Sequence, residues 1–143
     1  MRNLPVLLLE PQDLASADTQ SAYIDLAGLH VPVGIAVIIG ALTGVDGSNY
    51  LVPTLQEATE TPASASSYSA VDANDIDGAF TKVDDAAEDS VIQFVEYHGR
   101  SRYVNVLLNY TGTGITAGIV GVVALVREAR EMPPATPTTG AVT

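Results

Sequence analysis

An acidic stretch near the middle of the chain has the residue types of a calcium-binding loop. It reads Asp72-Ala-Asn-Asp-Ile-Asp-Gly78, and clustered carboxylate and amide oxygens of this kind can coordinate Ca²⁺. In the EF-hand pattern, however, a loop starting at Asp72 places Ile76 at a ligand position and Val83 where a glutamate is required. A solvated acidic loop is the simpler interpretation, because charge runs usually lie in solvent. We therefore predict no metal site, with a looser calcium site as the alternative: Asp72, Asn74, Asp75 and Asp77.

The other residues that could perform catalysis follow no catalytic pattern. His30 and His98 lie far apart, and no serine lies in a nucleophile elbow. The segment Gly112-Thr-Gly114 lacks the third glycine of a dinucleotide loop and the lysine of a P-loop. The chain has no cysteine, which excludes thiolate nucleophiles, thiolate metal sites and disulfides. We therefore expect that the protein is not an enzyme and has no cofactor. The minority alternative is a glycosidase-like pair of carboxylates, for which the candidates are Glu57, Glu96 and Glu128.

Two segments are better candidates for binding a partner. Arg100 and Arg102 flank a predicted turn at Ser101, so two of the six basic residues meet at one tip of an acidic protein. The planar guanidinium group favours carboxylates at interfaces, although solubilising charges are an equal alternative. The second segment is the uncharged, Pro/Thr-rich tail from Met132 to Thr143, which has no core-forming pattern. Its candidate contact residues are Met132, Pro133, Pro134 and Pro137.

Charge and hydropathy narrow the classes of partner. The formal net charge is −11, which repels phosphate backbones and anionic lipids, so we expect no nucleic-acid or membrane partner. The longest apolar runs, residues 31–42 and 115–126, are shorter than the roughly 18 residues of a membrane-spanning helix. The length of 143 residues fits one domain with its own core.

The segments that must position these residues are predicted to be β-strands. Apolar residues alternate with a period of two in short, β-branched runs separated by turn residues, and residues 31–42 are apolar or small on both faces. Glycines and β-branched residues favour a strand over a helix at the end of the apolar pattern, residues 115–130. The predicted strands are 6–9, 22–26, 31–42, 50–58, 90–97, 102–110 and 115–127.

Turn composition predicts how these strands pair. The Asp46-Gly47 turn predicts a β-hairpin between residues 31–42 and 50–58, with Pro53 favouring an edge position. The short links at 98–101 and 111–114 predict an antiparallel meander of the last three strands. The resulting fold class is an all-β, single antiparallel β-sandwich or jelly-roll-like domain with extended terminal arms.

The domain prediction divides the chain into a body and two arms. Residues 1–20 form an N-terminal arm, residues 21–130 form the sandwich, and residues 131–143 form a Pro/Thr-rich C-terminal arm. Within the body, residues 60–89 are predicted to be a long acidic surface excursion with one short strand at 79–83. We expect the C-terminal arm to be ordered either by its own domain or by a neighbouring subunit.

Three stretches resemble a group of tailed-bacteriophage virion proteins, the capsid decoration or cement proteins. They are Ala22-Tyr-Ile-Asp-Leu-Ala-Gly28, residues 40–51 with Leu55-Gln-Glu57, and residues 95–106, which read Val-Glu-Tyr-His-Gly-Arg-Ser-Arg-Tyr-Val-Asn-Val. The likeness spans most of residues 20–127 and consists of strand and turn patterns, and the arms are not covered. It implies a jelly-roll-like protein on the outer surface of an HK97-type shell, bound to the major capsid protein.

The resemblance leads to a functional expectation with two alternatives. We expect a structural virion protein that stabilises the capsid lattice and also binds copies of itself, with a trimer favoured and a dimer as the alternative. A head-to-tail connector or tail component is one alternative, and a carbohydrate-binding or adhesin module is another. The adhesin would use the six tyrosines, but the chain has no tryptophan for sugar stacking.

Overall fold

Two antiparallel β-sheets pack face to face in the computed structural model, which describes residues 3–127 and 138–140. No α-helix occurs in the described part of the chain, so the all-β sandwich prediction is confirmed and the helical alternative is wrong over residues 117–127. Accordingly, no described helix is long and apolar enough to cross a bilayer. The strands are β1 (Asn3–Asp13), β2 (Thr19–Gln20), β3 (Tyr23–Asp25), β4 (His30–Thr43), β5 (Tyr50–Ala58), β6 (Ser69–Ala70), β7 (Ile76–Asp77), β8 (Val91–Tyr97), β9 (Tyr103–Thr111), β10 (Ala117–Arg127) and β11 (Thr138–Gly140).

The strands divide between the sheets in a fixed order. The five-stranded sheet has the order β1-β10-β4-β8-β7, and the six-stranded sheet has the order β11-β3-β9-β5-β6 with β2 beside β9. Consecutive long strands, from β3 to β10, alternate between the two sheets. Turns between them therefore cross from one sheet to the other at the ends of the sandwich.

The core lies between the sheets and follows from the period-two pattern. On β4, Val33, Ile35 and Val37 are fully buried, and the same is true of Val104 and Val106 on β9. Successive side chains of a strand point to opposite faces, so one apolar set from each strand meets the facing sheet. Each fully buried side chain of this kind contributes about 1.5–3 kcal/mol relative to an exposed one.

The two predicted pairings between neighbouring strands are wrong. β4 and β5 lie in different sheets, so residues 43–49 connect the sheets and do not close a hairpin. The meander fails for the same reason, because β9 pairs with β5 while β8 and β10 both pair with β4. Turn composition indicates where a strand ends but not which sheet receives the next strand. Pro53 does lie where β5 has only one neighbour, since β6 pairs only with Gln56 and Glu57.

The N-terminal arm predicted for residues 1–20 is also wrong over much of its length. β1 pairs with β10 from Asn3 opposite Arg127 to Asp13 opposite Ile119, with two register shifts. The prediction of an arm gave too little weight to the alternating pattern of this segment, in which Leu8 is buried in the core. Pro5 is compatible with this strand because β1 is at the edge of its sheet, where a missing N–H costs no ladder hydrogen bond.

The predicted excursion, residues 60–89, covers one open side of the sandwich between β5 and β8. Its regular elements are two short 3₁₀ turns and the two-residue strands β6 and β7, and most of its side chains are exposed. The short strand predicted at 79–83 is reduced to a bridge at its last residue, Val83. Val83 exchanges two backbone hydrogen bonds with Leu51, and its side chain is fully buried. Val83 therefore anchors the second half of the excursion to the core, with the partly buried Phe80 packed against the same core.

Candidate functional site

One predicted contact segment, the turn with Arg100 and Arg102, lies at one end of the sandwich, which we call the arginine end. It comprises the turn 98–102 and the strand termini at Asp25, Arg127 and Thr138, which the register places at the same end of the two sheets. Arg127 and Thr138, the described residues that flank the tail segment 128–137, therefore both lie at this end.

Arg102 is held by its own chain. Its Nε and Nη2 donate to Oδ1 and Oδ2 of Asp25, each at 2.8 Å, and its guanidinium carbon lies 5.1 Å from the centre of the Tyr103 ring. The hydrogen bonds from Arg102 lower the pKa of Asp25 and raise the pKa of Arg102. A fork already used in a bidentate pair has fewer donors for a partner. A role for Arg102 in partner contact stays a prediction, and no local sequence pattern marks Asp25 as its partner.

Arg100 is the more available arginine of the pair. Its side chain is exposed, and within the described residues it makes no ion pair. It borders two shallow pockets, one lined by Leu26 and Leu29 and the other by Glu57 and His98. Arg100 can therefore meet a partner carboxylate without first breaking an ion pair of those described.

The turn that presents Arg100 is fixed by the buried Tyr97. The Tyr97 hydroxyl donates to Glu57 Oε2 at 2.5 Å and accepts a hydrogen bond from the backbone N–H of Ser101 at 3.0 Å. Gly99 lies against the Tyr97 ring so closely that a Cβ at this position would be 2.4 Å from the hydroxyl oxygen. Burial and the Glu57 carboxylate raise the pKa of Tyr97, so its hydroxyl stays protonated. The turn is therefore a rigid platform for Arg100.

The predicted contact residues of the tail lie outside the described residues: Met132, Pro133, Pro134 and Pro137. The tail is described only at β11, where Thr138 to Gly140 pair with Asp25 to Tyr23 of β3. Of the two ways in which the C-terminal arm could be ordered, its own domain provides the pairing for these three residues.

The opposite end of the sandwich, which we call the acidic end, has a different charge. Asp18 accepts a hydrogen bond from the Tyr110 N–H, and Asp46 accepts from the Ser48 and Asn49 N–H groups, which lowers the pKa of Asp46. The one cation described there is Lys82, which pairs with Asp84. The acids at this end are Asp13, Asp18, Asp46, Asp84, Asp85, Glu88 and Asp89.

Three potential metal ligands lie together at the edge of the five-stranded sheet. Asp77 is opposite Glu96 in the β7–β8 ladder, and their ligand atoms lie within 4.8 Å of one another and of those of His98. His98 Nε2 lies 2.7 Å from Asp77 Oδ2, and Arg127 lies 3.7 Å from Glu96. These side chains already form a surface ion-pair network. Of the looser calcium set, only Asp77 belongs to this group, and Asp72 accepts a hydrogen bond from the Asn74 N–H.

A surface that the sequence reasoning missed covers the outside of the five-stranded sheet. Ile92, Ile119 and Leu7 are 67%, 57% and 50% exposed, and Phe94 is 46% exposed. The sequence signal for this surface is in β4, whose two faces are both apolar or small, a pattern that does not tell a buried face from an exposed one. One face of the strand is core, and the other is surface.

The tyrosines do not form an aromatic binding surface. Tyr97, Tyr103 and Tyr110 are buried, and Tyr23, Tyr50 and Tyr68 are half-buried. Burial raises the pKa of Tyr110 to about 12. The adhesin alternative therefore lacks the exposed rings on which it depends.

A mostly apolar cleft of about 350 Å³ lies under the excursion, between β5 and β8. Its lining includes Pro53, Leu55, Phe80 and Val95, and it contains no ionisable residue. It therefore offers no ionisable side chain that could act as a general acid or base.

In comparisons with known proteins, no family model, no curated protein and no solved structure matched this chain.

Proposed function

We propose that this chain is a structural virion protein that binds the outer surface of a tailed-phage capsid and stabilises the lattice of the major capsid protein. The resemblance of residues 22–28, 40–51 and 95–106 to decoration proteins motivates the proposal. The observation that carries it is the arginine end, where exposed Arg100 and both flanks of the tail segment lie together.

The distribution of charge supports a protein with an inner and an outer end. Three acids at the arginine end are already in contacts: Asp25 with Arg102, Glu96 with Arg127, and Asp77 with His98. At the acidic end, few of the described carboxylates have a positively charged partner. Docking by the arginine end would keep the acidic end outermost, where like charge keeps particles dispersed.

The strand order supports the finer part of the fold expectation, a jelly roll. Two four-stranded sets, β1-β10-β4-β8 and β3-β9-β5-β6, share the chain in alternation, as two Greek keys in a double-sheet jelly roll would. A closed double sheet of this kind leaves few free edges, which suits a protein packed at high density on a particle.

Binding to phage shells that lack their decoration protein tests the proposal. Purified protein should bind saturably, in copy numbers proportional to the major capsid protein, and the decorated shells should withstand higher temperatures. Binding at a single vertex would indicate the connector alternative, and absence of binding would refute the proposal.

Two matched substitutions test the arginine end within the same assay. Arg100→Ala should weaken shell binding about tenfold, equivalent to about 1.4 kcal/mol, because it removes an available cation from the docking end. Lys82→Ala removes a cation from the acidic end and should leave the affinity unchanged. Equal effects of the two substitutions would contradict docking by the arginine end.

A further inference from the structure

The outer side of the five-stranded sheet is a continuous apolar surface. Outward residues of four neighbouring strands align in rows: Leu7, Val123, Ala36 and Phe94 form one row, and Gly121, Ile38 and Ile92 form the next. Pro5, Leu125 and Gly34 continue the surface toward the arginine end. We call this surface the apolar outer face; its residues are Pro5, Leu7, Gly34, Ala36, Ile38, Ile92, Phe94, Ile119, Gly121, Val123 and Leu125.

The glycines of this face are covered by neighbouring side chains. The Phe94 ring covers Gly34, where a Cβ would lie 2.7 Å from the nearest ring atom. Pro11 covers Gly121, where a Cβ would lie 3.1 Å from the Pro11 Cγ. The most exposed apolar side chains of the face are therefore Leu7, Ile92, Phe94 and Ile119.

Charged side chains are confined to the rim of the apolar outer face. Glu96 and Arg127 occupy outward positions at the arginine-end margin, where they lie 3.7 Å apart. The centre of the face carries no charge in a chain whose net charge is −11. Contiguous exposed apolar patches rimmed by polar residues mark interaction sites in soluble proteins.

We propose that the apolar outer face is a two-fold interface with a second copy of this chain. Two copies of the chain repel each other because each has a net charge of −11. Contact through the apolar outer face does not place the carboxylates of one copy against those of the other. An isologous contact sets the same patch against itself, so the exposed apolar side chains of each copy would be covered by those of the other. This inference does not depend on the proposed virion function.

The size of the face agrees with a reversible dimer. Strands about 4.8 Å apart make four strands roughly 15–20 Å wide, and three rows of side chains give a similar length. Such a patch buries on the order of 500 Å² per copy, close to the total of about 1,000 Å² that a specific interface requires. The expected association is therefore concentration-dependent in the micromolar range.

Sedimentation equilibrium of the full chain over a concentration series tests this interface. The wild type should be in equilibrium between monomer and dimer, and Ile92→Glu should raise the dissociation constant at least tenfold because it buries a carboxylate in the contact. Asn109→Glu is the matched control, because Asn109 is exposed on the outside of the six-stranded sheet. It adds the same charge and should leave the dimer intact.

The outcomes separate this proposal from the others. A wild type that is monomeric throughout, a trimer, or an Ile92→Glu variant that associates normally would overturn the two-fold contact. If the wild type is monomeric and Ile92→Glu abolishes shell binding, the face belongs to the capsid and not to a second copy. A circular dichroism melt of each variant should match the wild-type monomer, which shows that the fold is unchanged.

Discussion

Asp25 and Arg102 are separated by 77 positions in the chain, and their contact determines what the arginine end can offer a partner. The pair connects the end of β3 to the start of β9, so it stabilises the platform that presents Arg100. Arg100 and Arg102 look equivalent in the sequence, but Arg102 supports the fold, whereas Arg100 is available to a partner. A contact between such distant residues depends on the sheet topology and is not readable from local patterns.

The Asp25–Arg102 pair predicts a pH dependence of stability. Arg102 lowers the pKa of Asp25 below its ordinary value of 3.8, so the stabilisation is fully present above that value and is lost as the pH falls through the lowered pKa. Asp25→Asn should therefore reduce the free energy of unfolding at pH 7, and the deficit should shrink toward pH 2. Urea denaturation at several pH values measures it.

A double-mutant comparison identifies the cause of this pH dependence. In an Arg102→Leu background, Asp25→Asn should change the pH profile of unfolding much less than it does in the wild type. If the profile changes equally in both backgrounds, the lowered pKa of Asp25 arises from something other than Arg102.

At the scale of elements, Val83 is the most deeply buried contact of the second half of the excursion. Val83 is fully buried and pairs with Leu51, while most of its neighbours from Thr81 to Glu88 are exposed. Val83→Ala should cost about 2 kcal/mol of unfolding free energy, in the range found for removing buried methyl groups. Trypsin cleavage after Lys82 should also accelerate, because the anchor beside it is weakened.

Val91→Ala is the control for this prediction, since the same atoms are removed from a side chain that is 38% exposed. It should cost less and should not change cleavage at Lys82. Equal losses of stability in the two variants, or unchanged cleavage in Val83→Ala, would show that the excursion is held by other contacts.

The sequence predicted the positions of the long strands and not their partners. β5, β8, β9 and β10 begin and end within about two residues of the predicted bounds, because alternation and turn residues are local signals. The predicted strand pairings were wrong because β4 and β10 are apolar or small on both faces. Neither face therefore indicates which strand lies beside them. The same ambiguity concealed the apolar outer face, whereas the turn with Arg100 followed directly from composition.

For the whole molecule, the two proposed interfaces differ in their physics. One depends on an arginine at a mixed-charge end, and the other on apolar contact between two chains that repel each other. Salt screens charge over a length that falls from about 10 Å at 0.1 M to about 3 Å at 1 M. Screening weakens an attraction between opposite charges and relieves a repulsion between like charges.

The two interfaces should therefore respond to NaCl in opposite directions. Raising NaCl should weaken shell binding that depends on Arg100 and should strengthen self-association, as measured by shell cosedimentation and sedimentation equilibrium. Self-association that weakens with salt would indicate that charge pairs, and not the apolar outer face, hold the copies together.

The placement of β10 between β1 and β4 also has a consequence for biosynthesis. The five-stranded sheet needs a strand from residues 117–127 before residues 3–13 can pair at all. Contact order is consequently high, a property that slows folding in all-β proteins. On the ribosome, the nascent chain must keep its first strand unpaired until nearly all of the described chain has emerged. We therefore expect the early apolar strands to need protection by chaperones until residues 117–127 have emerged.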